Sequence, residues 1–247
     1  MTLPATFPGC RGCDHFTAAP AQFCLSCARP QLQLVASGCP VCCQLLDGNG
    51  RCPNELCRNA RRRIERIHAV AYHAGALRRV INDYKYRGAA HWPVILGRLL
   101  LAWLDETMTA DRPDLIVANP SFVGAGGQLF AHTEAVLAAA AAQDAARAPA
   151  GSRWPFDPAD PAAIVKTAAT LRSADAPAWY KSFTAADLRG VLAIPDPART
   201  AGKFVLVYDD ICTTGRQLDT VAAALLDDGG AARVEGVVLG RAPWRRR

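Results

Sequence analysis

The chain contains no run of about 18 uninterrupted apolar residues, so no segment is long and apolar enough to cross a bilayer as a helix. Met1 to Gly9 shows no basic stretch leading into an apolar one, and the sequence therefore predicts a cytoplasmic protein with no membrane association. Cysteine almost disappears after Arg58: of ten cysteines, only Cys212 lies beyond it. That uneven distribution, together with the missing export leader, argues against a disulfide-stapled secreted module. No strong side-chain nucleophile or general base emerges either, so any chemistry must rest on positioning and charge stabilisation.

What is present points first to two parts. With 247 residues, 51% of them hydrophobic, the chain can bury one sizeable core and carry a small extra module. The nine early cysteines supply the module, expected over 1–66. Cys10 and Cys13 form one CxxC pair, Cys24 and Cys27 a second, Cys39 and Cys42 a third, and Cys52 with Cys57 a wider fourth. Thiolates two residues apart on a tight turn can grip one tetrahedral Zn²⁺ together, and two pairs complete a Cys₄ shell. Four pairs predict two structural zinc sites in a double ribbon, with Cys43 left over. This segment is poor in large apolar residues, so the metal would supply its folding energy.

Arg58, Arg61, Arg62, Arg63 and Arg66 follow, against Glu65 alone. Such a run reads either as a solvated linker or as a contact to nucleic-acid phosphates beside the ribbon. The net charge of +6 does not decide between them. A protein or DNA partner for the module stays open.

From Ile67 to the end an α/β domain is expected. Ile67 to Tyr72 reads as a strand. Leu77, Val80, Ile81 and Tyr84 recur at helical spacing, and Val94 to Leu104 forms a second helix. Asp114 to Ala118 reads as a buried strand ending at Asn119, Leu129 to Ala142 as an alanine-rich helix, and 145–161 as a loop. The last strand is expected over Val234 to Leu239.

The stretch from Lys203 to Leu226 carries the most information. Phe204 to Tyr208 is a buried strand arriving at Asp209 and Asp210; Ile211, Cys212, Thr213, Thr214 and Gly215 make a turn; Leu218, Val221, Ala222, Leu225 and Leu226 line one face of a helix. A helix N-terminus offers unpaired N–H groups and a positive dipole end, so a small-residue turn entering it suits a phosphate. Two adjacent acids suit the vicinal hydroxyls of a ribose, and attract a hard cation such as Mg²⁺.

Val205 to Gly215 resembles the phosphoribosyl pyrophosphate (PRPP) signature of the type I phosphoribosyltransferases. The resemblance implies Asp209 and Asp210 on the ribose hydroxyls as the catalytic pair, Ile211 to Gly215 around the 5′-phosphate, and Cys212 as a small filler. It also implies a mainly parallel sheet of that kind, flanked by helices over 67–247. Where the family has Thr or Ser two residues past the glycine, this chain has Gln217. Taken with the cysteine-rich start and the element Tyr72, Leu77, Arg78 and Lys85 to Gly88, the order of parts is similar to the ComF family of phosphoribosyltransferase-like proteins, which is associated with competence and DNA uptake. Lys85 and Asn119 join the expected PRPP-binding set.

The middle of the chain departs from that pattern. After the strand, the family has a basic loop for pyrophosphate; here Ser121 to Gln128 holds three glycines and no basic residue, and His132 and Thr133 fall where the family has Asn and Gln. Main-chain N–H groups of such a loop can still bind phosphate oxygens, but the cations that would offset a leaving pyrophosphate are gone. Ile164 to Leu192 falls where the family has a mobile flap, and reads equally as a solvated surface. Two functions follow: a Mg²⁺-dependent transferase moving phosphoribosyl from PRPP to an unidentified acceptor, or a PRPP- or nucleotide-sensing adaptor acting through its zinc module.

Overall fold

The computed structural model describes residues 32–35, 37–87, 92–123, 129–147, 153–157, 162–169 and 183–244. The expected zinc ligands Cys10, Cys13, Cys24 and Cys27 lie outside these residues, as do 124–128 of the glycine loop and 170–182 of the flap-like segment.

A four-stranded parallel sheet forms the centre. Its strands are β1 (Ile67–Tyr72), β2 (Leu115–Ala118), β7 (Phe204–Cys212) and β8 (Arg233–Arg241), in the order β1-β8-β7-β2. Parallel strands need crossovers, and those helices bury both faces of the sheet. The strands accordingly read as apolar runs rather than as alternating ones.

Side chains from alternate positions of β7 define the two layers. Leu206 and Tyr208 face a core built with Leu77, Val80, Ile81, Leu96, Leu99 and Leu100. That core comes from α2 (Gly75–Arg87), α3 (Trp92–Thr107) and α4 (His132–Arg147). Val205 and Val207 face the other core, shared with Leu218, Val221, Ala222 and Leu225 of α6 (Arg216–Asp227). Cys39, Cys42, Leu56 and Ile64 belong to this second core. The cysteine-bearing segment is thus packed onto the sheet beside α6. Helix α1 (Glu55–Arg58), capped by the Asn54 side chain, lies within it.

Helix α3 is apolar on most sides because it has neighbours on most sides, with ten of its sixteen residues buried. Its axis comes close to α4 at Gly97, where an added Cβ would sit 2.9 Å from the Ala140 nitrogen. Among the described residues no helix is long and apolar enough to cross a membrane.

Three expected boundaries shift, each for a visible reason. The strand expected over Phe204 to Tyr208 continues to Cys212, because β8 runs to Arg241 and keeps pairing with it, Ile211 with Gly240 and Cys212 with Arg241. The two aspartates therefore stand inside the strand. Leu129–Phe130 is not helix but β4, antiparallel to β3 (Phe122–Val123), and α4 begins only at His132. Its start is set by polar contacts: Glu134 accepts from the Ser121 amide at 2.8 Å, and the Thr133 hydroxyl donates to the Asn119 carbonyl at 2.7 Å. Part of the expected 145–161 loop is ordered against the sheet, where Ile116 donates to Pro155 O and Asp157 N donates back to Ile116 O. The indole of Trp154 anchors this piece by donating to Asp105 at 2.8 Å.

The remaining pieces are β5 (Val165–Lys166), antiparallel to β6 (Leu192–Ala193), and α5 (Phe183–Val191). The β5–β6 pair spans the two ends of the stretch expected to resemble a flap.

Candidate functional site

The C-terminal ends of β1, β2, β7 and β8 share one edge of the sheet, which is where open parallel sheets bind ligands. Asp209 and Asp210 stand there, 9% and 4% exposed. Asp209 accepts from the Asp210 amide at 2.8 Å and from Asn119 Nδ2 at 2.9 Å. Asn119 is itself held by its amide, which donates to the Tyr208 carbonyl at 2.7 Å. Asp210 takes Lys85 Nζ, from α2, at 2.8 Å on one oxygen and 2.6 Å on the other.

One lysine against two buried acids leaves the edge short of positive charge. Burial first, and then the Asp210 charge, push the Asp209 carboxyl up to about 8, against the pull of Lys85 and the bonds from Asp210 N and Asn119. Burial works against the Lys85 ammonium, but Asp210 and Asp209 outweigh it and hold it above its ordinary value. Two buried groups here, Asn119 Oδ1 and the Tyr208 hydroxyl, have no hydrogen-bond partner among the described residues. Buried polar atoms are nearly always paired, so two such groups beside an excess of acid make this edge a candidate ligand site.

A stability prediction follows from Asp209. Unfolded, its carboxyl titrates near 3.8; folded, near 8. The folded state therefore binds the extra proton between those values. Its contribution is fully present below the lower value and is lost as pH rises through the upper one. Asp209→Asn cannot ionise, and Asn119 can turn its amide to present the orphaned Oδ1 to the new side chain. The variant should melt above wild type, by a margin that widens from pH 5 to pH 9 at about 2–4 °C per kcal/mol relieved. Thermal midpoints of the two proteins at pH 5, 7 and 9 check this; an equal or lower midpoint for the variant at pH 9 would contradict it.

Beyond Cys212 the chain turns into α6 through Thr213, Thr214 and Gly215. Gly215 is the helix N-cap at φ +80°, a conformation that favours glycine, and a Cβ there would meet Ile67 Cδ1 at 2.7 Å and Leu56 Cδ2 at 2.8 Å. Cys212 is buried, and burial raises its thiol to about 12. That is the condition of an inert packing residue, not a nucleophile.

The carbonyls of this turn are held to one side. Arg241, fully buried at the end of β8, donates through Nη1 to the Cys212 carbonyl at 2.8 Å and also to the Thr213 carbonyl. Asn54 Nδ2 donates to the Thr214 carbonyl at 2.9 Å. In a trans peptide the N–H points opposite to the C=O. Fixing carbonyls 212, 213 and 214 on one side therefore aims the amides of Thr213, Thr214 and Gly215 to the other, at the N-terminus of a twelve-residue helix. Such a set of main-chain donors suits an anion.

The other functional cluster is the set of cysteines 39, 42, 52 and 57, whose sulfurs all lie within 4.8 Å of one another. Cys39 and Cys57 are 3.6 Å apart and Cys42 and Cys52 3.7 Å apart. Sulfurs on a tetrahedral Zn²⁺, with bonds of about 2.3 Å, stand roughly 3.8 Å from each other, whereas a disulfide needs about 2.05 Å. The residues thus fit a metal ion such as zinc. The four-residue gap between Cys52 and Cys57 is taken up by the turn into α1. Burial resists ionisation of Cys42, but the Asn54 side chain above all, with Cys57, the Gln44 backbone and Arg241, brings its thiol down to about 7, while burial and the neighbouring cysteines push Cys52 up to about 11 and raise Cys57 as well. Cys43, the unpaired cysteine, has positive φ and stands outside the cluster.

The edge and the cysteine cluster therefore bring together Lys85, Asn119, Asp209 and Asp210, and separately Cys39, Cys42, Cys52 and Cys57. Ile211 is half-buried against the α2–α4 core. His132 and Thr133 sit at the start of α4, where Thr133 helps fix the Asn119 carbonyl. The basic run is partly spent in tying the linker down. The amides of Arg63 and Ile64 donate to Asp219 at 2.7 and 2.9 Å, and the Arg63 side chain pairs with Asp227. Sequence reading missed Asn54, Tyr208 and Arg241. Nothing in its own segment set Arg241 apart, since the same strand also holds Arg233 and the buried Glu235. No protein-family model matches the chain, and no curated protein matches it.

Proposed function

We propose that this protein binds a ribose 5-phosphate group, and PRPP with Mg²⁺, at the C-terminal edge of β7. The observation that carries the reading is the buried Asp209–Asp210 pair, under-neutralised by Lys85, beside a turn whose carbonyls are held away from a helix N-terminus. Asp209 and Asp210 would take the sugar hydroxyls and draw in the cation. Thr213 to Gly215 would take the 5′-phosphate, and Asn119 and Lys85 would keep the acids in place. The proposal includes a sheet of the type I phosphoribosyltransferase kind and a ComF-like arrangement, with structural zinc at Cys39, Cys42, Cys52 and Cys57. Transfer of the phosphoribosyl group to an acceptor is the activity that such a site serves.

The loop after β2 favours a second reading. With no basic residue from Ser121 to Gln128, little is present to stabilise departing pyrophosphate, which suits an adaptor that senses PRPP or a nucleotide and passes the signal to DNA or a protein through the cysteine module. Ribose 5-phosphate tests what the two readings share. It should displace PRPP competitively, because the proposed contacts are to the sugar and its 5′-phosphate; displacement by pyrophosphate alone and not by ribose 5-phosphate would overturn the assignment of the turn. Release of pyrophosphate from bound PRPP then separates transferase from adaptor.

A further inference from the structure

The Cys42 sulfur and the phosphate turn are held by the same two side chains. Asn54 Nδ2 lies 3.5 Å from Cys42 Sγ and 2.9 Å from the Thr214 carbonyl. Arg241 reaches Cys42 Sγ through Nη2 at 3.6 Å and the Cys42 carbonyl through Nε at 2.7 Å, while its Nη1 serves Cys212 and Thr213. Both are buried, Asn54 at 1% and Arg241 at 0% exposure. Neither has a free hand: the Asn54 carbonyl oxygen accepts from Leu56 N at 3.2 Å.

We infer that Asn54 and Arg241 are positioning residues that couple metal occupancy of the four-cysteine site to the shape of the phosphate turn. This deepens the function proposed above and rests on it only for the identity of the ligand. A metal-bound thiolate is a fixed, charged acceptor, and partners that donate to it are oriented by it. With the ion in place, Cys42 holds both donors where they also reach carbonyls 212 to 214, and the amides of Thr213, Thr214 and Gly215 are kept facing away from those donors. Without it the sulfur is free to rotate and each donor loses one of its anchors. The carbonyls are then held less firmly, and the amides with them. The cysteine module in this arrangement is part of the binding site's frame.

The test uses the full chain in five forms: wild type, Asn54→Ser, Cys57→Ser, the double variant of these two, and Arg241→Lys. Serine keeps the N-cap of α1 but is too short to reach Thr214. Cys57→Ser removes a ligand whose sulfur faces Cys39, and leaves Asn54 and Arg241 unchanged. Cobalt(II) loaded into the cysteine site of Asn54→Ser should show the wild-type thiolate charge-transfer band. Its affinity for ribose 5-phosphate should nevertheless fall about fivefold to tenfold, the scale of one hydrogen bond. Cys57→Ser should fall by a similar factor, and the double variant no further than the weaker single one, because the two changes break the same link. Hydrogen exchange at amides 213–216 should quicken equally in all three. Arg241→Lys, which keeps the charge but not the fork, should act in the same direction. Wild-type exchange and affinity in Asn54→Ser, or losses that multiply in the double variant, would overturn the coupling. If wild type itself does not bind ribose 5-phosphate, the ligand assignment fails, while the exchange measurement still decides the coupling.

Discussion

Asp210→Asn should weaken ribose 5-phosphate and PRPP binding by roughly ten- to hundredfold, the cost of replacing a charge-assisted bond of about 1.5–3 kcal/mol with a neutral one. It should also lower the melting midpoint, because Lys85 loses the carboxylate that it meets at 2.6 Å. The Lys85 side chain is 26% exposed, so water can partly solvate the abandoned ammonium and the destabilisation should stay below that of breaking a fully buried pair. Asp209→Asn should raise the midpoint, as its buried, proton-retaining carboxyl implies, and should cost a comparable factor in affinity where binding of the ligand and its cation draws that proton off, because the amide cannot ionise. Two neighbouring acids with the same effect on ligand and opposite effects on stability are the signature of a site under electrostatic strain. Calorimetric titration and thermal melting of the two variants measure both quantities. Binding within twofold of wild type in both would remove the acids from the site.

The second large effect is expected at the cysteine cluster. Cys42 is fully buried, belongs to the core shared with α6 and β7, and accepts from Asn54 and Arg241. Cys42→Ser would leave a harder, poorer metal ligand in the same place, and the free energy of metal binding in a small cysteine module is largely its folding free energy. Purified wild-type protein should carry two equivalents of zinc, one for each expected four-cysteine set. The variant should lose one of them, and proteolysis within 39–66 should quicken. Zinc content by mass spectrometry and limited digestion check this. A variant with unchanged zinc content would show that Cys42 is not a ligand.

Much of the architecture was legible because it follows from local chemistry. Apolar runs such as Phe204 to Tyr208, joined by helix-period segments, specify a sheet covered on both faces, and the observed parallel order agrees. The grouping of the Cys39 and Cys42 pair with Cys52 and Cys57 was legible from spacing, since a chelating turn is a short-range object. What the sequence hid depends on long-range pairing. The extension of β7 to Cys212 depends on β8 reaching Arg241, a relation between strands that no window of either reveals. The start of α4 at His132 was masked because Leu129 and Phe130 fit an apolar helix face as well as they fit β4, and the deciding contacts come from Ser121 and Asn119. Asn54 and Arg241 were invisible as functional residues for the same reason. Each looks ordinary in its own segment and acquires its role where residues about 160 to 200 positions apart meet.

The Asp-Asp and Thr-Thr-Gly elements carry the ligand assignment, and their geometry adds burial, charge imbalance and a turn whose carbonyls are held by Arg241 and Asn54. Titration of the full chain with PRPP, with and without Mg²⁺, tests that assignment most directly. The account predicts saturable binding at one site per chain that is strengthened by Mg²⁺, competed by ribose 5-phosphate and weakened by Asp210→Asn. Absence of PRPP binding in zinc-replete protein with Mg²⁺ present would contradict it.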